Sequence, residues 1–364
     1  MTALHNTAAG AIQLRDLDAV AANLHRRYTG VTSTVNALVA CQCTEMRIAA
    51  MGWALAPSIA RVPLRQLFTQ GWSKPPTFGK RIWHARRNDE MIVGILLRHI
   101  LRQPWKLVFT SAAQRSHTAF TRFLLRRMDA VIATTTQAAG YLNVPSRVIN
   151  HGVDLQRFAP AADRENAWRE TGLPGRYGIG TFGRIRKEKG TDIFVQSMIE
   201  LLPRHPDWTA VISGWCAPKD QPFLEQLRQK IAAAGLEKRI VFLGLLPTQE
   251  VPAWFRRVTI YVAPMRWEGF GLTPLEAMAS AAAVVATRTG AAEILVEHDV
   301  TGFIVEPGNF QAVTQAVERL MIHPQRAMQM GIAGRQKAQS AHDLLQEARA
   351  INAVYREVGG ARGT

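Results

Sequence analysis

The sequence has little cysteine and no long hydrophobic run. Its 364 residues include only 3 cysteines, Cys41, Cys43 and Cys216, which are too few for a disulfide framework and favour a reducing compartment. No run of roughly eighteen apolar residues occurs, so no membrane-spanning helix is expected. The first ten residues lack the basic start and apolar core of a secretory signal. We therefore expect a protein that works in the cytoplasm.

Acidic residues are also scarce, most of all in the first half. The formal net charge is +16, and residues 1–165 contain 21 Lys and Arg against 9 Asp and Glu. Such an excess indicates an anionic partner: nucleic acid, an acidic membrane surface or a phosphorylated lipid. The basic clusters have no interleaved aromatic residues, and no helix-turn-helix or zinc pattern is present. Nucleic acid is therefore the weaker alternative.

Short apolar runs alternate with segments of helical length, which is typical of parallel α/β sheets. We predict two doubly wound, Rossmann-like domains facing a cleft, with ligands at the carboxyl ends of the strands. The predicted domains are 1–160 and 161–335, with the polar stretch Ala159–Pro174 at the seam. Residues 336–364 are predicted to form a C-terminal helix that returns to the first domain. The predicted strands lie at 18–23, 47–52, 81–85, 105–110, 130–134, 147–149, 177–182, 209–213, 240–243, 259–263, 284–287 and 303–305.

A basic, glycine-containing segment follows the predicted strand 177–182. Gly183 and Gly190 allow tight turns, and Thr191 is the predicted N-cap of the next helix. Arg184 and Lys189 stand at the exit of the strand, where two cations suit a diphosphate because they offset charge on a leaving group. The alternative is a solvated basic loop.

The same stretch contains the pattern G-x-G-x-x-G at Gly178, Gly180 and Gly183. A dinucleotide fingerprint needs a strand before its first glycine, whereas here the glycines lie inside the predicted strand. An NAD-dependent oxidoreductase therefore remains only an alternative, which titration with NADH would test.

A second anion-binding pattern occupies residues 264–280. Gly269 and Gly271 expose the backbone, and the N-terminus of the following helix, predicted at Thr273 and Pro274, can hold an anion. Glu268 precedes the loop and Glu276 lies in the first turn of the helix. Two carboxylates beside a phosphate site favour hydroxyl groups as their partners, such as those of a sugar and a ribose. For Glu276 a capping box with Thr273 is the competing interpretation.

These motifs together resemble the retaining GT-B glycosyltransferases of family 4. The resemblance rests on Glu268 and Glu276 with seven residues between them, after Gly183-Arg184 and Lys189-Gly190. It extends to segments 151–158, 242–244, 290–293 and 301–304.

The resemblance implies a role for each matching residue. Arg184 and Lys189 would bind the phosphates of the donor, and Glu268 would contact the transferred sugar. Glu276 would bind the ribose. The other implied donor contacts are Gly30, in a glycine-containing loop after the first strand, Gly183, Gly244, and the loop amides of Gly269, Phe270, Gly271 and Leu272. No cofactor or metal is expected beyond the nucleotide sugar.

The chain as a whole, with segments 26–33 and 83–88, looks most like mannosyltransferases of bacterial lipopolysaccharide core assembly. This implies GDP-mannose as donor, an anionic lipid A-linked inner-core acceptor, and peripheral contact with the cytoplasmic face of the inner membrane through Trp53, Trp72 and nearby arginines. Arg86, Arg87 and Arg115 are predicted to face the acceptor. Relatives carry a histidine after the strand that here ends Thr110-Ser111, and His84 and His117 are its possible substitutes. A UDP- or ADP-sugar hexosyltransferase and a GT-B epimerase or phosphorylase remain open.

Overall fold

A computed structural model describes residues 12–360 of the chain. The predicted lack of a secretory signal concerns residues outside this range. The chain divides into two compact units, one of residues 1–151 with 344–364 and the other of residues 152–343.

The first unit contains a six-stranded parallel sheet in the order β2-β1-β3-β4-β5-β6. Its strands are β1 Ala19–Asn23, β2 Ile48–Gly52, β3 Arg81–Ala85, β4 Trp105–Ser111, β5 Ala130–Ala133 and β6 Arg147–Val148. Its helices are α1 Gly30–Gln42, α2 Gln66–Gln70, α3 Asn88–His99, α4 Ala119–Leu125, α5 Thr136–Gly140 and, from the end of the chain, α14 Leu344–Gly359. Most residues of β1 to β5 are buried, as expected for strands covered on both faces.

The two faces of this sheet bury different clusters. Trp83 and Trp105 pack edge to face on the α3 side, with ring centroids 5.7 Å apart. On the other face α14 packs against α1, and Gln42 donates to Asn352 over 2.8 Å. The C-terminal helix is therefore part of the core of the first unit.

The second unit contains another six-stranded parallel sheet, in the order β12-β11-β10-β7-β8-β9. Its strands are β7 Tyr177–Phe182, β8 Trp208–Ser213, β9 Ile240–Gly244, β10 Val258–Ala263, β11 Ala283–Thr287 and β12 Gly302–Val305. Its helices are α6 Arg164–Arg169, α7 Thr191–Leu201, α8 Gln221–Ala233, α9 Val251–Arg257, α10 Leu272–Ala279, α11 Ala292–Leu295, α12 Phe310–Ile322 and α13 Pro324–Ala341. Strands β7 and β10 are neighbours, so the loops that leave them emerge at the same edge.

The unit boundaries differ from the predicted ones. The first boundary lies between residues 151 and 152 and the second between 343 and 344, not at 160 and 335. Residues before the polar stretch already pack into the second unit, because the Phe158 ring contacts Phe255 and Arg335 donates to the carbonyl of Leu155. The polar stretch is itself folded, with Asp163 capping α6 and Trp168 buried.

All twelve predicted strands are present, and their bounds differ from the prediction by no more than two residues. Gly178 and Gly180 lie inside β7, as predicted, so the glycine pattern does not follow a strand. Within residues 12–360, no helix is both long and apolar enough to cross a bilayer.

Candidate active site

Two loops at the carboxyl edge of the second sheet are locked together. Gly190 has a φ of +71°, and a Cβ there would approach the carbonyl oxygen of Pro264 to 1.8 Å. Arg266 reaches from the loop after β10 to α7, where both of its terminal nitrogens bond to Asp192 over 2.8 Å. Its backbone amide donates to the carbonyl of Glu188 over 2.9 Å. The loop after β7 and the loop after β10 therefore form one framework.

The structure brings Lys189 and Glu268 together within this framework. The Lys189 ammonium forms an ion pair and hydrogen bond with one oxygen of Glu268. The other oxygen accepts from the backbone amide of Gly269 over 2.8 Å. Glu268 thus has local partners, and the Gly269 amide is engaged by this carboxylate. Both side chains keep about a fifth of their surface exposed, so a ligand can reach them.

Helix α10 begins two residues earlier than predicted, and no capping box forms. Its N-cap is Gly271, with a φ of +97°, and no described side chain caps it. Thr273 and Pro274 lie inside the first turn and not at the predicted cap and first helical positions. Helix α7 likewise begins at Thr191, with Gly190 as its N-cap. The amides at the start of α10, from Leu272 onward, remain donors for an anion.

The Glu276 carboxyl does not cap its helix, so it forms none of the hydrogen bonds of a capping box. Among residues 12–360 it has no hydrogen-bond partner, and the charge of Arg157 partly opposes the effect of burial on its pKa. Although the residue keeps some accessible surface, burial of the carboxyl raises its pKa to about 7. Such a carboxyl is available for hydroxyl groups of a ligand.

Tyr261, in β10, bonds to strand β7, and the charges of both glutamates act on its hydroxyl. Its hydroxyl donates to the carbonyl of Phe182 over 3.0 Å. Burial raises the pKa of Tyr261, and the charges of Glu276 and Glu268 raise it further. Both carboxyl groups therefore lie near one buried phenol, on the β10 side of the site. The sequence analysis did not identify this residue, because a tyrosine inside an apolar strand looks like a core residue.

Arg184 lies at the start of the loop after β7, beside Trp215. It is exposed, and its guanidinium lies 5.9 Å from the centre of the Trp215 ring. No ion pair to it is found among the described residues. A cavity of about 330 Å³ opens beside Trp215 and extends to Phe242 and Gly244. Gly183 and Gly244 have φ values of +143° and +72° with open space at the Cβ position, so a ligand can approach the backbone at both glycines.

A third loop, after β11, completes the framework. A Cβ at Gly290 would meet the carbonyl oxygen of Phe270 at 2.5 Å, and the Ala291 amide donates to that oxygen over 2.7 Å. Thr287 donates to the carbonyl of Met265 over 2.5 Å. Phe270 is buried, so its ring is not exposed to a ligand.

In the first unit, Arg87 is part of a hydrogen-bonded network. Its guanidinium bonds to Asn23 and Glu90 over 2.9 Å and to Thr29 over 3.0 Å. Thr29 caps α1, which begins at the exposed Gly30. Arg87 thereby anchors the loop after β1. Both terminal nitrogens of its guanidinium are bonded to neighbouring side chains. This network gives Arg87 a structural role, and its predicted contact with the acceptor stays a prediction.

The two candidate histidines lie in different environments. His84 is fully buried, with Nδ1 2.5 Å from the Tyr355 hydroxyl and Nε2 2.7 Å from the Thr110 hydroxyl. With both nitrogens bonded, it is assigned to the core and not to acceptor binding. His117 lies in the loop after β4, and its buried Nε2 has no hydrogen-bond partner among the described residues. Burial, followed by the charges of Arg115 and Arg122, lowers the pKa of His117. Arg115 is exposed beside it.

The family model of the group 1 glycosyl transferases matches residues 163–337, the greater part of the second unit. The chain is 48% identical to the lipopolysaccharide core biosynthesis mannosyltransferase LpcC of Rhizobium leguminosarum bv. viciae, over 95% of this chain and 98% of that protein. It is 44% identical to the lipopolysaccharide core biosynthesis mannosyltransferase LpsB of Rhizobium meliloti, over 94% and 98%.

Solved structures resemble the chain as well. The crystal structure of HepE from Anabaena with UDP and glucose has a TM-score of 0.79 at 19% identity, and the match covers 94% of this chain and all of that one. The C-terminal domain of LpcC from Francisella tularensis covers 53% of this chain and 99% of that one, at 40% identity and a TM-score of 0.51.

The two parallel six-stranded sheets, one in each unit, define a GT-B fold. The chain belongs to the group 1 glycosyl transferases. It is a glycosyltransferase, and the predicted resemblance to lipopolysaccharide core mannosyltransferases is confirmed.

Proposed function

We propose that the protein transfers mannose from GDP-mannose to a lipid A-linked inner-core oligosaccharide in lipopolysaccharide biosynthesis. The near full-length similarity to two lipopolysaccharide core mannosyltransferases supports the sugar and the pathway. The observation that carries the enzymatic role is the grouping of Lys189, Glu268 and the uncapped start of α10 on one loop framework. This grouping offers a cation, backbone donors and a sugar-binding carboxylate within one unit of the fold.

The proposed donor site follows from these positions. Arg184 and Lys189 offset the charge of the diphosphate, and the first amides of α10 add backbone donors. Glu268 holds hydroxyls of the transferred mannose, and the Glu276 carboxyl accepts from the ribose hydroxyls. The cavity beside Trp215, Phe242 and Gly244 takes the base. Its volume lies within the range of small-molecule sites.

We propose a retaining reaction on the front face of the sugar, without a metal ion. The bond from the anomeric carbon to the diphosphate breaks, and the acceptor oxygen bonds to that carbon on the same face. The acceptor proton passes to an oxygen of the leaving diphosphate. Protein groups contribute positioning and charge stabilisation more than a nucleophile. Proton NMR of the initial product would show α-mannose if the configuration is retained, whereas β-mannose would exclude it.

Thermal-shift screening with GDP, UDP, ADP and their mannose and glucose conjugates tests the donor. We expect a selective rise in melting temperature with GDP and GDP-mannose, because a ligand that binds only the folded state stabilises it. A selective rise with UDP- or ADP-sugars would assign a different hexosyl donor. Conversion of the nucleotide sugar without an acceptor would indicate an epimerase.

We further propose that the first unit contacts the cytoplasmic face of the inner membrane. Phe68 and Ile100 expose about two thirds of their surface, at 66% and 70%, and Trp53 and Trp72 are exposed nearby in the sequence. The Trp72 indole donates to the carbonyl of Leu101 over 2.8 Å, so the segment after α2 lies against the segment after α3. Arg65, Arg98 and Arg102 flank it in the sequence. Aromatic and basic side chains together suit an anionic bilayer surface.

Cosedimentation with vesicles tests this contact. We expect binding to vesicles of phosphatidylglycerol and phosphatidylethanolamine that weakens with salt and falls in a Phe68→Ser, Ile100→Ser double variant. Ile322→Ser is the matched control, since Ile322 is an exposed apolar residue of the second unit. Equal binding of all three proteins would rule out this surface.

A further inference from the structure

Arg86 has an environment unlike that of any other candidate residue in the first unit. It follows β3 directly, and its accessible surface is only 9% of the maximum. None of its three guanidinium nitrogens has a hydrogen-bond partner among residues 12–360. No carboxylate of the described chain forms an ion pair with it. A buried and unpartnered cation is unfavourable, so its presence calls for a partner that binds to the folded protein.

The neighbours of Arg86 do not supply that partner. Side chains alternate along a strand, so Arg86 extends the row of Ile82 and His84, on the face that α14 covers. The charge of Arg86 lowers the pKa of His84, after burial, and opposes the rise that burial gives to the pKa of Tyr355. Both neighbours are neutral near pH 7, since the pKa of Tyr355 is about 12. Arg86 is thus close to two polar but uncharged side chains.

The adjacent Arg87 provides the contrast. Its fork is occupied by Asn23, Glu90 and Thr29. The Glu90 carboxylate also accepts from the backbone amide of Arg86 over 2.7 Å, while the Arg86 side chain takes no part in this network. Two neighbouring arginines therefore differ: Arg87 anchors the loop after β1, whereas the buried guanidinium of Arg86 has no hydrogen-bond partner among residues 12–360.

We infer that the Arg86 guanidinium receives one anionic group of the acceptor, a carboxylate or a phosphate. A planar fork with free donors matches either group with two parallel hydrogen bonds. The position fits, because ligands of open parallel sheets bind beyond the carboxyl ends of the strands. This inference rests on the proposed transferase function and narrows it, since it assigns acceptor charge recognition to Arg86.

Thermal unfolding with small anions tests the site without catalysis. The probes are inorganic phosphate, mannose 6-phosphate and glucuronate, on wild type, Arg86→Met and the control Arg47→Met, which removes an exposed cation from the same unit. We expect at least one anion to raise the melting temperature of wild type and Arg47→Met but not of Arg86→Met. GDP should raise all three equally. An unchanged anion effect in Arg86→Met overturns the inference, whereas a missing GDP effect in wild type contradicts the proposed donor instead.

The melting temperatures without ligand give a second readout. Removal of an unpartnered buried charge should leave Arg86→Met as stable as wild type or more stable. Arg87→Met should melt at a lower temperature, because Glu90 loses its ion pair. If Arg86→Met fails to fold or melts as low as Arg87→Met, the guanidinium serves the fold and the inference is wrong.

Kinetics then identify the anionic group. We expect Arg86→Met to raise the acceptor KM at least tenfold with little change in the donor KM, and Arg86→Lys to recover part of the loss. A phosphatase-treated acceptor that still depends on Arg86 indicates the carboxylate. A carboxyl-reduced acceptor that still depends on it indicates the phosphate. Equal acceptor KM values in wild type and Arg86→Met overturn the inference.

Discussion

Lys189 and Glu268 are 79 residues apart in the sequence and form an ion pair at the carboxyl edge of the second sheet. The pair joins the loop after β7, with the proposed donor-binding cations, to the loop after β10, with the proposed sugar-binding carboxylate. Each member is thereby oriented before a ligand arrives. This arrangement favours preorganisation of the site over a loop that orders only on binding.

The ion pair predicts coupled effects on activity. Lys189→Ala and Glu268→Ala should each lower kcat roughly 10²-fold, in the range expected for loss of a preorganised charge. The double variant should lose less than the product of the two single effects, because the partners act as a unit. Steady-state kinetics of the four proteins check this, and full multiplicativity would show that the two residues act independently. Each single variant should lose about 1 kcal/mol of unfolding free energy, because the pair is partly exposed.

Arg184 should affect turnover without affecting stability. It is exposed and has no ion pair among the described residues, so Arg184→Ala should melt at the wild-type temperature and lose roughly 10²-fold in kcat. Arg184→Lys should retain part of the activity. Arg169→Ala, which removes an exposed cation on α6, is the control and should keep full turnover. Near-normal turnover of Arg184→Ala would exclude it from the diphosphate site.

Glu276 should make stability and nucleotide binding depend on pH. Its folded-state pKa of about 7 lies above the ordinary value of 4.5, so its ionisation destabilises the fold. The stability it contributes is complete below about pH 4.5 and is lost as pH rises through 7. Wild type and Glu276→Gln should therefore melt alike at pH 4.5, whereas Glu276→Gln should be more stable at pH 8, by at most about 3 kcal/mol.

The affinity for nucleotide should change with pH in the opposite direction to the stability. The ionised Glu276 accepts from two ribose hydroxyls, so GDP should bind wild type more tightly as pH rises from 6 to 8. Isothermal titration calorimetry measures the affinity at each pH, and Glu276→Gln should show a flatter profile. Glu170→Gln, at an exposed carboxylate of the same unit, is the control. Identical profiles for wild type and Glu276→Gln would remove Glu276 from the ribose site.

The two histidines should separate stability from acceptor binding. His84→Leu leaves the Tyr355 and Thr110 hydroxyls buried without their partner, and we expect a loss of about 2 kcal/mol or more in unfolding free energy. His117→Leu should melt near the wild-type temperature and raise the acceptor KM, because the buried Nε2 of His117 bonds to no other described residue. Denaturant unfolding and acceptor kinetics measure both effects. A stable His84→Leu protein, or an unchanged KM in His117→Leu, would contradict the respective role.

Metal chelation should leave turnover unchanged. In the proposed mechanism Arg184, Lys189 and the amides of α10 offset the diphosphate charge. The D-x-D motif at Asp16 and Asp18 is structural at its second residue, since buried Asp18 accepts from the amide and hydroxyl of Thr77. Activity measured after exhaustive EDTA treatment should match the untreated enzyme. Loss of activity that Mg²⁺ or Mn²⁺ restores would contradict this mechanism.

Much of the site was predictable because its residues follow strands. Apolar runs such as 177–182 and 258–263 specify buried strands, and Gly183, Arg184 and Glu268 stand where those strands end. The helix start at residue 271 was not predictable from capping preferences. Thr273 and Glu276 match a capping box, but the left-handed backbone at Gly271 starts the helix two residues earlier. Backbone conformation in a loop depends on the neighbouring loops as well as on local preference.

Side-chain pairing separated residues that the sequence could not rank. Arg86 and Arg87 are adjacent and chemically identical, yet Arg87 lies in a network with Glu90, while Arg86 is buried with no partner in the described part of the chain. His84 and His117 were equally eligible as ligand contacts, until Tyr355 of the C-terminal helix was found to occupy one nitrogen of His84. Each distinction depends on a contact between residues that are distant in sequence or on opposite faces of one strand.

The sequence by itself determined the two parallel sheets, the order of strands and helices along the chain, and the motifs at the strand ends. Hydrophobic periodicity and turn residues determine these features because they act over short distances. Tertiary structure alone decided where the units divide and that Lys189 pairs with Glu268. It also decided that Glu276 forms no capping box with Thr273, and that no residue between 12 and 360 bonds to the Arg86 guanidinium. These features depend on contacts between side chains that form only after distant segments pack together. Local sequence preferences carry no information about such contacts.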